Sequence, residues 1–240
     1  MIKADLHIHT TLSPCADIEM TPAFIVKRAK ECGLGIIGIT DHNSTLQCLE
    51  TKRIGDREGV FVLCGAEITT KEEVHVLAFV EDKEKLEKLQ SYLCDHLPKI
   101  PNNVDYFGYQ LIVNEKEEIL GEEQYLLINA INQSIEQVER FVHSLGGIFI
   151  PAHIDKRQNS IMSQLGFLPL GLDVDAIEVS GRTDIAEFLK KNNNLKKFMI
   201  IKSSDAHFPD DFGSFFTGLN LENISFSAIK VALNSDKLTK

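Results

Sequence analysis

Short apolar runs of strand length alternate with helix-length amphipathic stretches along almost the whole of this chain. The strand-like runs fall at Ile2–His9, Gly35–Thr40, Val60–Cys64, Val74–Val80, Gly147–Ala152, Ala176–Val179 and Phe198–Lys202. Most are rich in Val, Ile and Phe, as buried strands are. Between them, Thr21 and Pro22 open a helix that ends near Gly33, and Ser134-Ile-Glu-Gln137 forms a capping box for a helix that stops at Gly146-Gly147. Helical patterning returns over Thr183–Lys191 and Ser225–Asn234. Such repetition predicts one α/β domain with a largely parallel sheet. The pattern fits an open doubly wound sheet and a barrel alike. A single domain over residues 1–240 suits the length, since α/β barrels use about 200–250 residues as one unit.

Residues 98–133 break the rhythm. They hold Pro98, Pro101 and Asn102-Asn103, then Tyr109–Val113 and Glu117–Leu120 around a polar turn at Asn114–Lys116. This reads as an inserted loop and hairpin, for which a flap over a site and a plain surface excursion both fit. Tyr106, Phe107 and Tyr109 would either stack on a base or anchor the hairpin.

Twenty-five Lys and Arg against 35 Asp and Glu give a net charge of −10. A stable grip on long nucleic acid needs a basic surface, so none is expected. The acidity suits a protein that collects cations. No apolar run approaches the roughly 20 residues of a membrane span, and Met1-Ile2-Lys3-Ala4-Asp5 lacks the pattern of a signal peptide. Cys15, Cys32, Cys48, Cys64 and Cys94 are odd in number and form no CxxC, which fits reduced thiols in a cytoplasmic protein.

The histidines carry the functional signal. His96 and His143 sit in helix-like stretches and look ordinary. The other six (His7, His9, His42, His75, His153 and His207) lie in strand-like runs or at their C-terminal ends. Acids accompany three of those runs, in Asp5-Leu-His7-Ile-His9, Asp41-His42 and Asp205-Ala-His207. Strand alternation puts Asp5, His7 and His9 on one face, and Asp205 with His207. Burying six imidazoles without partners is costly, so a shared partner is implied. Glu67, after the run Val60–Cys64, would stand isolated without a cation and is able to bridge two ions. Asp17 is a loop acid within reach of the same strand end. Imidazole and carboxylate without thiolate favour Zn, Mn or Fe.

The ordered set Asp5-Leu-His-Ile-His9, Thr40-Asp-His-Asn43, Gly65-Ala-Glu67, His75, Pro151-Ala-His153 and Ser204-Asp-Ala-His207 resembles the motif series of the PHP (polymerase and histidinol phosphatase) superfamily. The resemblance implies a distorted seven-stranded (β/α) barrel with two or three divalent transition metal ions (Zn, Mn or Fe) at the strand ends. It implies His7, His9, Glu67 and Asp205 around a first ion, and Glu67, His75 and His153 around a second. His42, His207 and Asp17 would hold a third. Asp5 and Asp41 would orient ligand rings by accepting imidazole N–H bonds, or touch metal themselves.

Water activated between such ions would attack phosphorus, with His207 or a coordinated water as the proton donor. The expected activity is a metal-dependent phosphoesterase acting on a small phosphorylated molecule, such as a nucleotide, nucleoside bisphosphate or histidinol phosphate. Alternatives are an exonuclease on short oligonucleotides and a non-catalytic module that binds metal or a partner. Amidohydrolase-like attack on carbon would call for a bridging Lys or carbamate, for which there is no clear candidate. Lys156, Arg157 and Arg182 sit where strand-end loops present cations to phosphate.

Overall fold

Strands that are apolar on both faces must be covered on both faces, and that requirement shapes this fold. The computed structural model describes residues 1–234. In chain order its elements are β1 (Ile2–Ile8), α1 (Pro22–Glu31), β2 (Ile36–Ile39), α2 (Cys48–Glu58), β3 (Phe61–Thr69), β4 (His75–Val80) and α3 (Lys83–His96). Then come α4 (Val104–Phe107), β5 (Leu111–Val113), β6 (Ile119–Glu122), α5 (Ile135–Ser144), β7 (Ile148–Pro151) and α6 (Ile161–Gln164). The chain continues through β8 (Ile177–Glu178), α7 (Ile185–Lys191), β9 (Ile200–Ile201), β10 (Thr217–Leu219) and α8 (Phe226–Leu233).

The main sheet runs β10-β1-β2-β3-β4-β7, and β8 pairs with β9 separately. Backbone bonds connect the two. Asp175 N–H donates to Phe149 O and Ile154 N–H to Glu178 O beside β7, while His9 N–H donates to Ala206 O beside β1. The sheet therefore curls toward its own first strand. One core lies between the sheet and helices α1, α2, α3 and α5, including Ile25, Ile54, Leu89 and Val138. A second gathers Leu6, Ile36, Leu63, Phe79, Ile148 and Ile201 with Phe226, Ile229 and Leu233 of α8.

Two features depart from the alternating reading. The sheet is mixed: β1–β2, β2–β3 and β8–β9 are parallel, whereas β3–β4, β4–β7 and β1–β10 are antiparallel. The cause is local, because residues 70–74 are too few for a crossover and force a hairpin between β3 and β4. Second, the pairing of β1 with β2 slips between Asp5 and Ile8. Strand alternation shifts with it, so Leu6 and Ile8 fall in different cores.

Residues 98–133 include the expected hairpin, β5–β6, and its bonds fix its position. Gln47 donates to Val113 O at 2.7 Å and accepts from Val113 N–H at 2.9 Å, and Leu111 N–H donates to Thr11 O at 2.9 Å. Thr21 Oγ1 donates to Glu117, and Arg57 pairs with Glu115. The hairpin is thus bound to the 10–21 loop and the start of α2. Tyr106 and Tyr109 are exposed.

His143 proves less ordinary than its sequence context. The buried Asp175 accepts from His143 Nε2 at 3.0 Å, Phe149 N–H at 2.8 Å and Asn234 Nδ2 at 2.6 Å, tying α5, β7 and the chain after α8 together. The Asp175 hydrogen bond, with help from Glu139 and against burial, raises the His143 pKa above the ordinary histidine value. A raised folded pKa means the pair stabilises fully below the unfolded value of about 6.5 and loses that contribution as pH climbs through the folded value. His143→Gln is therefore expected to cost about 1–2 kcal/mol near pH 6. The loss should be smaller near pH 9, as read by denaturant unfolding of both proteins at each pH.

Candidate metal centre

The curled sheet brings one buried carboxylate to the focus of five imidazoles. Glu67 lies inside β3, which runs two residues beyond it to Thr69. Its Oε1 is 2.8 Å from His75 Nδ1, 3.0 Å from His153 Nε2 and 3.3 Å from His7 Nε2. Its Oε2 is 3.1 Å from His42 Nδ1 and 3.4 Å from His9 Nε2. His75 is the first residue of β4 rather than the last of a run. It arrives at the cluster because β4 runs opposite to β3, with Thr69 paired to His75.

His207 completes the set by a different route. Its ring stacks on His9 with centroids 3.9 Å apart, and its Nδ1–H donates to the Asp205 carbonyl, 2.9 Å away. Asp205 Oδ1 stands 3.3 Å from His7 Nε2 and 3.6 Å from His9 Nε2. Three groups of ligand atoms lie within 4.8 Å of one another: His9–His42–His207, His7–His9–Glu67 and His42–Glu67–His75. They share His9, His42 and Glu67 as corners. His153 (φ 28°) and Asp205 (φ 52°) both hold left-handed backbone conformations that side-chain-bearing residues seldom adopt, strain that clusters at functional sites.

Electrostatics follow from this crowding in a dry site. Burial pushes the Glu67 carboxyl up, but His75, His7 and His42 override it and hold it well below the ordinary range. Burial likewise opposes charge on His7, yet Asp205, Glu178 and Glu67 raise its pKa well above the usual value. His42 goes the other way, pressed well below by burial and by His9, His75 and His207. Burial and the neighbouring His9 bring His207 down to about 3, so its ring is neutral at pH 7.

Several expected positions are placed differently. Asp5 makes no hydrogen bond to a ring, and its Oδ1 accepts Ser204 N–H at 3.0 Å. Burial pushes Asp5 up to about 7, against the Ser204 bonds. Asp41 accepts from Thr10 N–H, the Thr10 hydroxyl and the Ser13 hydroxyl at 2.7–2.8 Å, and it is Ser13 that touches His9 Nδ1, at 2.9 Å. Asp17 accepts Glu19 N–H within its own turn, and the three ligand groups form without it. The chain reading passed over Ser13 and Glu178. Glu178 Oε2 is 3.0 Å from His7 Nδ1 and accepts His153 N–H at 2.9 Å. Its only sequence signal is an acid inside the apolar run Ala176–Val179.

Around the cluster, a cavity of about 180 Å³ is lined by His42, Glu67, His75, His153, Asp205 and His207, among others. A larger one of about 420 Å³ shares His153, Lys156 and Asp205 with it and adds Arg182, Ser180, Ser214 and Phe215. Lys156 Nζ pairs with Asp205 Oδ2, while Arg157 lines neither cavity. The donor set suits metal ions. It consists of imidazoles and carboxylates, with His7 and His9 Nε2 facing each other at 3.2 Å. The buried Nδ1 atoms of His42 and His153 have no hydrogen-bond partner.

The PHP domain family profile matches residues 5–154. An uncharacterised protein of Methanocaldococcus jannaschii is 40% identical over 93 residues, spanning 35% of this chain and 54% of that protein. The lesion-specific endonuclease Q of Pyrococcus furiosus superposes with a TM-score of 0.71 at 18% identity, covering 98% of this chain and 56% of the enzyme. The chain therefore spans about half the length of both. A Bifidobacterium adolescentis protein assigned as a metal-dependent phosphoesterase gives 0.64 at 19% identity, over 96% of this chain and 95% of that one. Among the described residues, no helix is long and apolar enough to cross a membrane.

If the cluster binds ions, zinc or manganese at about 100 times the dissociation constant should stabilise the fold by about 2.7 kcal/mol, or about 5–10 °C in Tm. Glu67→Ala removes an oxygen from two of the three groups and should abolish most of that shift in calorimetric melts.

Proposed function

The chain belongs to the PHP domain family, and from that premise we propose that it is a metal-dependent phosphoesterase that hydrolyses a small phosphorylated substrate. The observation that carries this reading is the convergence of five imidazoles within 3.4 Å of the Glu67 carboxylate. We read the ring β1-β2-β3-β4-β7-β8-β9 as the distorted seven-stranded (β/α) barrel, with residues 1–240 as one PHP domain and 98–133 as its insert. Two or three divalent ions (Zn, Mn or Fe) would be held by His7, His9, His42, Glu67, His75, His153, Asp205 and His207. Asp17 would have to leave its turn to join them.

Such ions supply a water acidic enough to act as nucleophile near neutral pH, together with neutralisation of phosphoryl charge. The protein's own residues do the rest. Glu178 orients the His7 ring, and the strand ends together with the loops that leave them would hold the ligands apart. Lys156 is the cation nearest the cluster. From beside Asp205 its ammonium reaches the space a phosphoryl group would enter, and the −10 charge makes such a local cation necessary for an anionic substrate. Arg182, on the wall of the larger cavity, would meet the remainder of the substrate. Nucleotides, nucleoside bisphosphates and histidinol-phosphate-like esters all suit a cavity of about 420 Å³.

A second reading, nuclease action on short oligonucleotides, draws on the structural likeness to endonuclease Q, whose complex with a 27-mer duplex bearing an abasic lesion superposes at a TM-score of 0.67. Release of inorganic phosphate from a monoester panel, set against cleavage of labelled single- and double-stranded oligonucleotides, separates the two. Manganese- or zinc-loaded protein is expected to turn over at least one monoester. His9→Ala should lower kcat by about 100-fold or more, and Lys156→Ala should lower kcat/KM by about 10- to 100-fold. Absence of turnover on every phosphoester by the metal-loaded protein overturns the reading.

A further inference from the structure

The loop after β1 carries a wholly buried hydroxyl, that of Ser13. Three groups reach its Oγ: His42 N–H at 3.2 Å, His9 Nδ1 at 2.9 Å and Asp41 Oδ1 at 2.7 Å. A serine hydroxyl offers one proton and two lone pairs, so these three contacts exhaust it. A backbone N–H only donates, so His42 takes one lone pair. Asp41 already accepts the Thr10 N–H at 2.7 Å and the Thr10 hydroxyl at 2.8 Å, the behaviour of an ionised carboxylate, and it therefore receives the Ser13 proton. One lone pair remains, and the His9 ring can satisfy it only by donating. His9 Nδ1 thus carries a proton and is committed to Ser13, which leaves Nε2 as the ring atom that faces the cluster, 3.4 Å from Glu67 Oε2.

We propose that Ser13, backed by Asp41, is a positioning residue. It fixes His9 as the Nδ1–H tautomer and holds the His42 backbone at the same point, and so sets the ion affinity of the His9–His42–His207 corner. This inference rests on the metal-centre reading given above, and not on the identity of the reaction. The physical logic is economical: one oxygen joins the loop after β1 to the loop after β2 and places a ligand from each. The His7 ring is served separately by Glu178, so loss of Ser13 should disturb one corner of the cluster more than the others. In Ser13→Ala the His42 N–H, the His9 Nδ1–H and Asp41 each lose a partner at a fully buried position.

Zinc is the probe, being diamagnetic. Side-chain ¹H–¹⁵N spectra of the zinc-loaded protein, with His9 assigned by its loss in His9→Gln, should show a slowly exchanging His9 Nδ1–H and a zinc-shifted Nε2. In Ser13→Ala that proton should exchange rapidly. Competitive chelator titration should find the weakest zinc bound about 10- to 100-fold less tightly, with a smaller change at the others. Ser13→Thr, which keeps the hydroxyl, should restore both signatures. The inference is overturned if His9 binds zinc through Nδ1 in the wild-type protein. It is also overturned if Ser13→Ala, folded by circular dichroism, holds every zinc with wild-type affinity. Should Ser13→Ala fail to fold, the wild-type spectrum alone decides. Wild-type protein that binds no zinc overturns this inference and the metal-centre reading together, whereas a failed phosphatase assay with the zinc signature intact counts against the reaction alone.

Discussion

A carboxylate sealed in protein interior is tolerated only when its charge is answered, and Glu67 is answered by five imidazoles drawn from across the chain. The geometry of the site depends on this one group. It sits inside a strand rather than on a loop, so its oxygens are held by the β2–β3–β4 ladder and cannot drift toward solvent. The histidines around it are likewise anchored in strands or immediately after them. The result is a rigid cluster whose neighbouring groups share corners.

Topology delivers the imidazoles to one end of the sheet by two devices. The tight return between β3 and β4 reverses one strand, so that its first residue, His75, stands beside Glu67. The slip in β1 turns His9 inward while Leu6 still packs below it, allowing one strand to serve the apolar core at its start and the polar cluster at its end. Beneath that cluster α8 covers the lower core. Its C-terminal Asn234 is tied through Asp175 to His143, so the closing helix and the sheet share a buried polar anchor.

Residues 98–133 reinforce the loops beside the cluster. Asn43, next to His42 and itself in a left-handed conformation, donates to the carbonyls of Leu127 and Asn129 and accepts Thr69 N–H. The hairpin meanwhile grips the 10–21 loop that contains Ser13. The loops that carry His9 and His42 are thus braced by residues 98–133, and Lys156 and Arg182 line the larger cavity.

Much of this was legible in the amino-acid order. Histidines and acids inside apolar strand runs have no cheap burial except around a common partner, so the residues that cluster around Glu67 followed from local pattern, as did the capped helices α1 and α5. The family likeness was readable for the same reason, since the motifs are short and sit on strands. What the order could not decide was direction. Whether a side chain faces the cluster depends on strand polarity and pairing register, which are settled by partners distant in the chain. That is why β4 runs opposite to its neighbour and why Asp17 bonds within its own turn. It is also why Ser13 and Glu178, unremarkable as residues, emerged as the groups that hold ligand rings only once the fold set them within hydrogen-bonding distance.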